Sequence, residues 1–162
     1  MRPTSDRVRE FIFSRLADSM VSARVLDLFA GTGSFGLEAL SRGADQVSFV
    51  DKSSKAIEVL QKNISKIKVS ANVYRMHETL FLKNAANERL SFNLIFCDPP
   101  YRYSDFGNVA AIVSDKKIIA PGGMLIYESS SRRQTPDAPG FTVEREKILG
   151  DTKVTFFLAN ER

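Results

Sequence analysis

Apolar positions in this chain follow two alternating rhythms. Runs at 24–29, 92–97 and 124–128 are short and largely apolar, the signature of strands buried in a sheet, 46–51 alternates as a strand does, and 72–76 is read as a further strand. Between them the apolar residues recur at i, i+3 and i+4. Val8, Phe11, Ile12, Arg15 and Leu16 predict a helix over 6–17, capped by Ser5 or Asp6. Further helices are predicted at 34–42, 53–65, 78–88 and 105–118, with Ile57, Leu60 and Ile64 facing inward in the second of these. Pro121-Gly122-Gly123 is read as a turn into the fifth strand. The polar segment 129–140 carries Pro136 and Pro139 and is read as an exposed, mobile loop. The end of the chain, 142–149 and 152–159, reads as two strands joined at Gly150-Asp151. That order reverses the usual Asp-Gly hairpin signal and leaves the turn type open. Strands alternating with helices predict an α/β fold, a mostly parallel sheet with helices on both faces. Any ligand would sit beyond the carboxyl ends of the strands.

Composition narrows the class. A chain of 162 residues with 43% hydrophobic content can bury one core and is expected to form a single domain over 1–162. No apolar run approaches the ~20 residues that span a bilayer, and the charged first residues predict no secretory leader. One cysteine forms no internal disulfide, which fits a cytoplasmic protein. One histidine beside one cysteine predicts no metal site, and Cys97 is read as a small core residue. The net charge of +4, from 23 basic and 19 acidic residues, suits a polyanionic partner. Arg2, Arg7, Arg9 and Arg15 form one basic group, Lys62, Lys66 and Lys68 a second, and Arg132 with Arg133 a third. The first and third are the candidates for phosphate contact, which supplies affinity rather than base choice.

The chemistry concentrates at strand ends. The run 92–97 ends in Asp98-Pro99-Pro100-Tyr101. Two prolines cannot continue a ladder, so the backbone stiffens where a cleft opens. The Asp98 carboxylate and Pro99 carbonyl would accept from an exocyclic amine, and the Tyr101 ring offers a stacking surface. Upstream, the strand at 24–29 runs through Asp27 and Phe29 into Gly31-Thr32-Gly33 and a helix. The glycines permit positive φ and close approach of a ligand. A dinucleotide loop would look similar, but Asp27 would repel a pyrophosphate and better suits a cationic ligand such as the ammonium and sulfonium of S-adenosylmethionine. The strand at 46–51 ends in Asp51, followed by Lys52, at the spacing expected of a ribose-binding acid. Phe29 and Phe35 flank the glycine turn, Phe29 chiefly as core and Phe35 within reach of cofactor or base.

These motifs make the chain resemble the class I S-adenosylmethionine-dependent methyltransferases, which have a Rossmann-like seven-stranded sheet with an antiparallel C-terminal strand. More narrowly, it is similar to the bacterial family that methylates the N2 amine of a guanine in small-subunit (16S) ribosomal RNA. The resemblance rests on 2–10, on 26–33 with 36–44, on 98–101 and on 145–152. It implies catalytic roles for Asp98, Pro99, Pro100 and Tyr101. It implies cofactor contacts at Asp27, Phe29, Gly31, Gly33, Asp51, Lys52 and Asp98. RNA contacts are implied at Arg2, Thr4, Arg7, Arg132 and Arg133, with 1–17 covering the site. The implied partner is 16S RNA or the small ribosomal subunit, met by a monomer with no membrane association. Two departures stand out. Family members carry a basic hairpin ahead of the Arg-Pro-Thr block, expected here to be absent or replaced. The family's acid near the adenine is here His77 followed by Glu78, so either residue is the candidate adenine contact. Adenine-N6 or cytosine-N4 methylation of DNA, or a non-catalytic RNA-binding module on the same fold, stay open.

Overall fold

The computed structural model describes residues 5–69 and 71–161. Five strands form its parallel frame: β1 (Arg24–Leu28), β2 (Gln46–Asp51), β3 (Asn72–Arg75), β4 (Phe92–Cys97) and β5 (Ile119–Ser130). The hairpin of β6 (Phe141–Leu149) and β7 (Thr152–Ala159) completes a seven-stranded sheet in the order β3-β2-β1-β4-β5-β7-β6. β7 runs antiparallel to both β5 and β6. The chain steps outward from β1 to β3, then crosses back to β4 beside β1. That reversal opens a crevice beyond the carboxyl ends of β1 and β4.

The helices are α1 (Asp6–Arg15), α2 (Ala17–Met20), α3 (Ser34–Ser41), α4 (Ser54–Ile67), α5 (Glu78–Asn87) and α6 (Phe106–Asp115). Two apolar layers follow from the alternation of each strand. On one face Val8, Ile12 and Phe13 of α1, Phe35 of α3 and Leu60 of α4 meet Val25, Phe49 and Phe96 of the sheet. On the other, Phe81 of α5 and Phe106 and Val109 of α6 meet Leu26, Ile95 and Phe157. Phe35 stacks on Phe96 with centroids 4.9 Å apart, a pairing that contributes ~0.5–1.5 kcal/mol beyond area burial.

Ser5 caps α1 by accepting from the Val8 N–H, and Ser53 caps α4 through Ala56. Four local expectations are corrected. The first helix breaks after Arg15, with α2 as a separate short turn. α6 stops at Asp115 rather than near 118, because Lys117 turns to a φ of 56° and sends buried Ile118 toward β5. The Pro121-Gly122-Gly123 segment lies inside β5. There the β4 pairing jumps from Phe92↔Ile119 to Leu94↔Met124, a bulge with Gly122 at φ 73° that accommodates a proline. The loop after β5 is tied down rather than free: Ser131 N–H donates to the Asp151 carbonyl at 2.8 Å, and the Lys153 ammonium donates to the Arg133 carbonyl. At the hairpin, Gly150 takes φ 62° while Asp151 does not, the pattern of a II′ turn with glycine first.

Candidate functional site

A cavity of about 610 Å³ opens at the carboxyl ends of β1, β2 and β4, within the size range of small-molecule sites. Its wall takes Phe29 and Ala30 after β1, Asp51 and Lys52 at the end of β2, His77 and Glu78 at the start of α5, and the stretch from Asp98 to Tyr103 after β4. Each of these follows a parallel strand, so the fold alone converges them.

The glycine turn is organised by two carboxylates. Asp51 accepts from Gly31 N–H at 2.9 Å and from Ser53 N–H at 2.8 Å, tying the turn to the end of β2. Asp27 is 1% exposed and accepts from Gly36 N–H at 3.0 Å, one of the donors that the first turn of α3 leaves unpaired. Gly31, Gly33 and Gly36 stand at G-x-G-x-x-G spacing. In a phosphate-binding loop such N–H groups face an anion; here two of them already face carboxylates. The electrostatics of the turn therefore oppose a pyrophosphate and favour a cation. Burial pushes the Asp27 carboxyl well above the usual carboxylate range. The Gly36 N–H opposes that shift, and the Asp98 and Asp51 charges add to it.

The glycines have separate reasons. Gly31 and Gly33 take φ 57° and 92°, where a side chain is strained. A Cβ on Gly36 would lie 2.2 Å from the Phe49 ring, so α3 seats on β2 only without one. Phe29 also holds a positive φ, 65°. That conformation sets its half-buried ring edge-on to Tyr103, centroids 4.9 Å apart.

Beyond β4, Tyr103 N–H donates to the Pro100 carbonyl at 2.9 Å, closing a turn that carries Tyr101 and Arg102 outward. Tyr101 is 48% exposed at the mouth, while Pro99 is buried and Asp98 half-buried. The turn is held from the far side by Arg133, whose guanidinium donates to the Tyr101 carbonyl at 3.1 Å and the Tyr103 carbonyl at 2.7 Å. Arg133 is half-buried and Arg132 exposed. Burial raises the Tyr127 phenol, with the nearby Arg133 charge acting the other way. Burial also holds the Cys97 thiol protonated, which removes it as a nucleophile.

His77 caps α5, its Nδ1 accepting from Thr79 N–H at 3.1 Å, and its Nε2 lies 3.3 Å from the buried Glu78 carboxylate. The Tyr103 hydroxyl is buried without a well-formed hydrogen bond. Burial and the neighbouring Glu78 charge push its pKa up, so it stays a phenol able to donate. Arg7 is exposed on α1, and Arg2 and Thr4 lie outside the described residues. Met76, Arg102 and Tyr103 line the cavity without a signal in the sequence: they belong to no motif and are placed by the turns they sit in. Among the described residues no cluster of His, Cys, Asp and Glu is arranged to hold a metal. No helix there is long and apolar enough to cross a membrane.

A family model described as Conserved hypothetical protein 95 matches residues 1–158. YlbH of Bacillus subtilis (strain 168) is 33% identical over 159 residues, covering 96% of this chain and 86% of that protein. Ribosomal RNA small subunit methyltransferase D of Escherichia coli (strain K12) is 34% identical over 152 residues, covering 93% of this chain and 75% of that enzyme. The solved structure of yhhF from Escherichia coli superposes with a TM-score of 0.90 at 31% identity, covering 100% of this chain and 89% of that one.

Proposed function

Because the chain belongs to the Conserved hypothetical protein 95 family, we propose that it transfers a methyl group from S-adenosylmethionine to the exocyclic N2 amine of a guanine in small-subunit ribosomal RNA. The observation that carries the reading is the carboxylate-lined glycine turn facing Asp98-Pro99-Pro100-Tyr101 across one cavity. That arrangement suits a cationic nucleoside on one side and a flat base bearing an amine on the other. The relative named as a ribosomal RNA small subunit methyltransferase supports the choice of RNA.

The residues fit the cofactor. The Asp51 oxygens keep lone pairs for ribose hydroxyls after accepting from the turn. Asp27 and Asp98 supply negative potential for the amino-acid and sulfonium end. Glu78, His77 and the phenol of Tyr103 offer polar contacts for the adenine. When bound, S-adenosylmethionine supplies an electrophilic methyl carbon on a positively charged sulfur. The target guanine leaves its stack to reach the cavity, and Tyr101 stacks on it. Asp98 and the Pro99 carbonyl accept from the N2 hydrogens and aim the nitrogen lone pair. As the N–C bond forms and the C–S pair departs to sulfur, the nitrogen becomes cationic. The Asp98 charge then strengthens its hold on the N–H, which is the differential that lowers the barrier. The proton leaves afterwards to Asp98 or water. Because the donor is intrinsically reactive, alignment supplies much of the rate.

Two substitutions should separate the halves of the site. Asp98→Ala is expected to lower kcat by ~10²–10³, the range for loss of one preorganised electrostatic contact, and to cost far less in cofactor affinity. Asp51→Ala is expected to weaken cofactor binding by ~10–100-fold, since hydrogen bonds to charged groups contribute ~1.5–3 kcal/mol each. Calorimetry with S-adenosylmethionine and single-turnover methyl transfer give both readouts. Equal loss of both in the Asp98 variant would refute its role, and unchanged affinity in the Asp51 variant would refute the ribose contact.

A further inference from the structure

Arg133 is not a surface cation reaching for solvent. Its guanidinium is committed to two carbonyls of the turn that follows the Asp-Pro-Pro-Tyr motif, on a loop more than thirty residues downstream of that motif. The loop is itself held from below. Lys153 on β7 is 6% exposed, and its ammonium donates to the Arg133 carbonyl, lies 3.5 Å from Thr135 Oγ1 and 3.9 Å from Glu146 on β6. Thr135 in turn donates to Glu146. A chain of contacts thus runs from the C-terminal hairpin through the loop to the backbone of Tyr101 and Tyr103.

The geometry points to Arg133 as a positioning residue that fixes the Tyr101–Tyr103 turn against the target base, with Lys153 as its buttress, in place of an RNA phosphate contact. The physical case is one of stiffness. Pro99 and Pro100 set the start of the turn, but Tyr101, Arg102 and Tyr103 have no strand or helix to hold them. One backbone hydrogen bond, from Tyr103 to Pro100, closes the turn. One terminal nitrogen of the guanidinium, Nη1, reaches both carbonyls, so a single side chain grips the turn at two points, and the planar head holds that nitrogen in one orientation. A displacement of about 1 Å at such a site costs on the order of 10²-fold in rate. Lys153 explains why the grip is firm: a buried ammonium needs acceptors, and it finds them in the loop it secures.

This inference rests on the methyl-transfer reading, and its test keeps the two apart. Arg133→Ala and Arg133→Lys in the full chain should each lower kcat by ~10–100-fold, with cofactor affinity and the salt slope of RNA binding unchanged. Lysine is expected not to rescue, because it keeps the charge but places a strongly hydrated ammonium on a flexible stem instead of a donor fixed by a planar head. Lys153→Met should lower kcat in the same sense without touching the cavity. Hydrogen exchange of the peptide spanning 101–106 should accelerate in all three. The proposal is overturned if kcat holds while RNA affinity drops and the salt slope falls by about one in Arg133→Ala, with Arg133→Lys restoring both, the behaviour of a phosphate contact. If the wild-type protein transfers no methyl, the functional reading fails and exchange alone decides the clamp: faster exchange supports it, and unchanged exchange overturns it.

Discussion

Asp27, Asp51 and Asp98 end adjacent strands and read alike in the sequence, yet their surroundings give them separate tasks. Asp51 ties the glycine turn to β2 through two N–H groups. Asp98 lines the cavity at the head of the Tyr101 turn. Asp27 is sealed beneath the turn, capping α3. A buried carboxylate with one backbone donor and two acidic neighbours costs stability when ionised. The sign follows from its raised pKa. The folded state holds the proton more tightly than the unfolded chain, so the favourable contribution is full below the ordinary carboxylate pKa of about 3.9. It is lost as pH rises through the folded value. Asp27→Asn keeps an oxygen for Gly36 N–H and removes the charge. The apo variant is expected to melt at or above the wild-type temperature at pH 8, with the difference shrinking toward pH 4, while S-adenosylmethionine binds more weakly. A lower Tm at pH 8 would show that the ionised form is not a cost. Asp51 and Asp98 could be read from the sequence because each closes an apolar run, and Asp27 because it is the lone acid inside one. Their division of labour could not, because it depends on which N–H each carboxylate meets in space.

The elements themselves were legible where periodicity was strong. β1, β2 and β4 fall within a residue of the expected ranges because parallel strands buried on both faces are continuous apolar runs. The misses have local causes. Phe13 is fully buried although it lies off the i, i+3, i+4 stripe, because α1 is wrapped by α3 and β4: its ring meets Phe35 and Phe96. Pro121-Gly122-Gly123 punctuates the sequence as a turn would, but the parallel pairing with β4 resumes past it and the segment stays within the strand. The contact between α3 and β2 gives the sharpest test at this scale. Gly36→Ala would place a methyl 2.2 Å from the Phe49 ring and 2.8 Å from Val47 Cγ1. Overpacking of this kind costs ~1–3 kcal/mol, and the glycine turn rides on the same helix. Gly36→Ala is therefore expected to lower Tm and to weaken cofactor binding together, as read by thermal melts with and without S-adenosylmethionine. A variant as stable as wild type would mean that α3 lifts away from β2 without loss.

Across the whole molecule, the parallel half of the sheet builds the cavity and the antiparallel hairpin braces it. The hairpin's β7 supplies Lys153 to the loop that holds the Tyr101 turn, and its β6 is tied to α1 by the Arg15–Glu144 pair. The surplus of basic charge, +4 overall, coexists with an acidic floor beneath the glycine turn. With a net positive chain, RNA affinity should weaken as salt rises. Methyl transfer to guanine in ribosomal RNA is decided by offering labelled S-adenosylmethionine and four acceptors side by side: unmodified small ribosomal subunits, naked small-subunit RNA, transfer RNA and unmethylated DNA, each followed by nucleoside analysis. N2-methylguanosine is expected in the ribosomal acceptors alone. Label recovered as methylated adenine or cytosine in DNA, or no label in any acceptor despite tight cofactor binding, would contradict it.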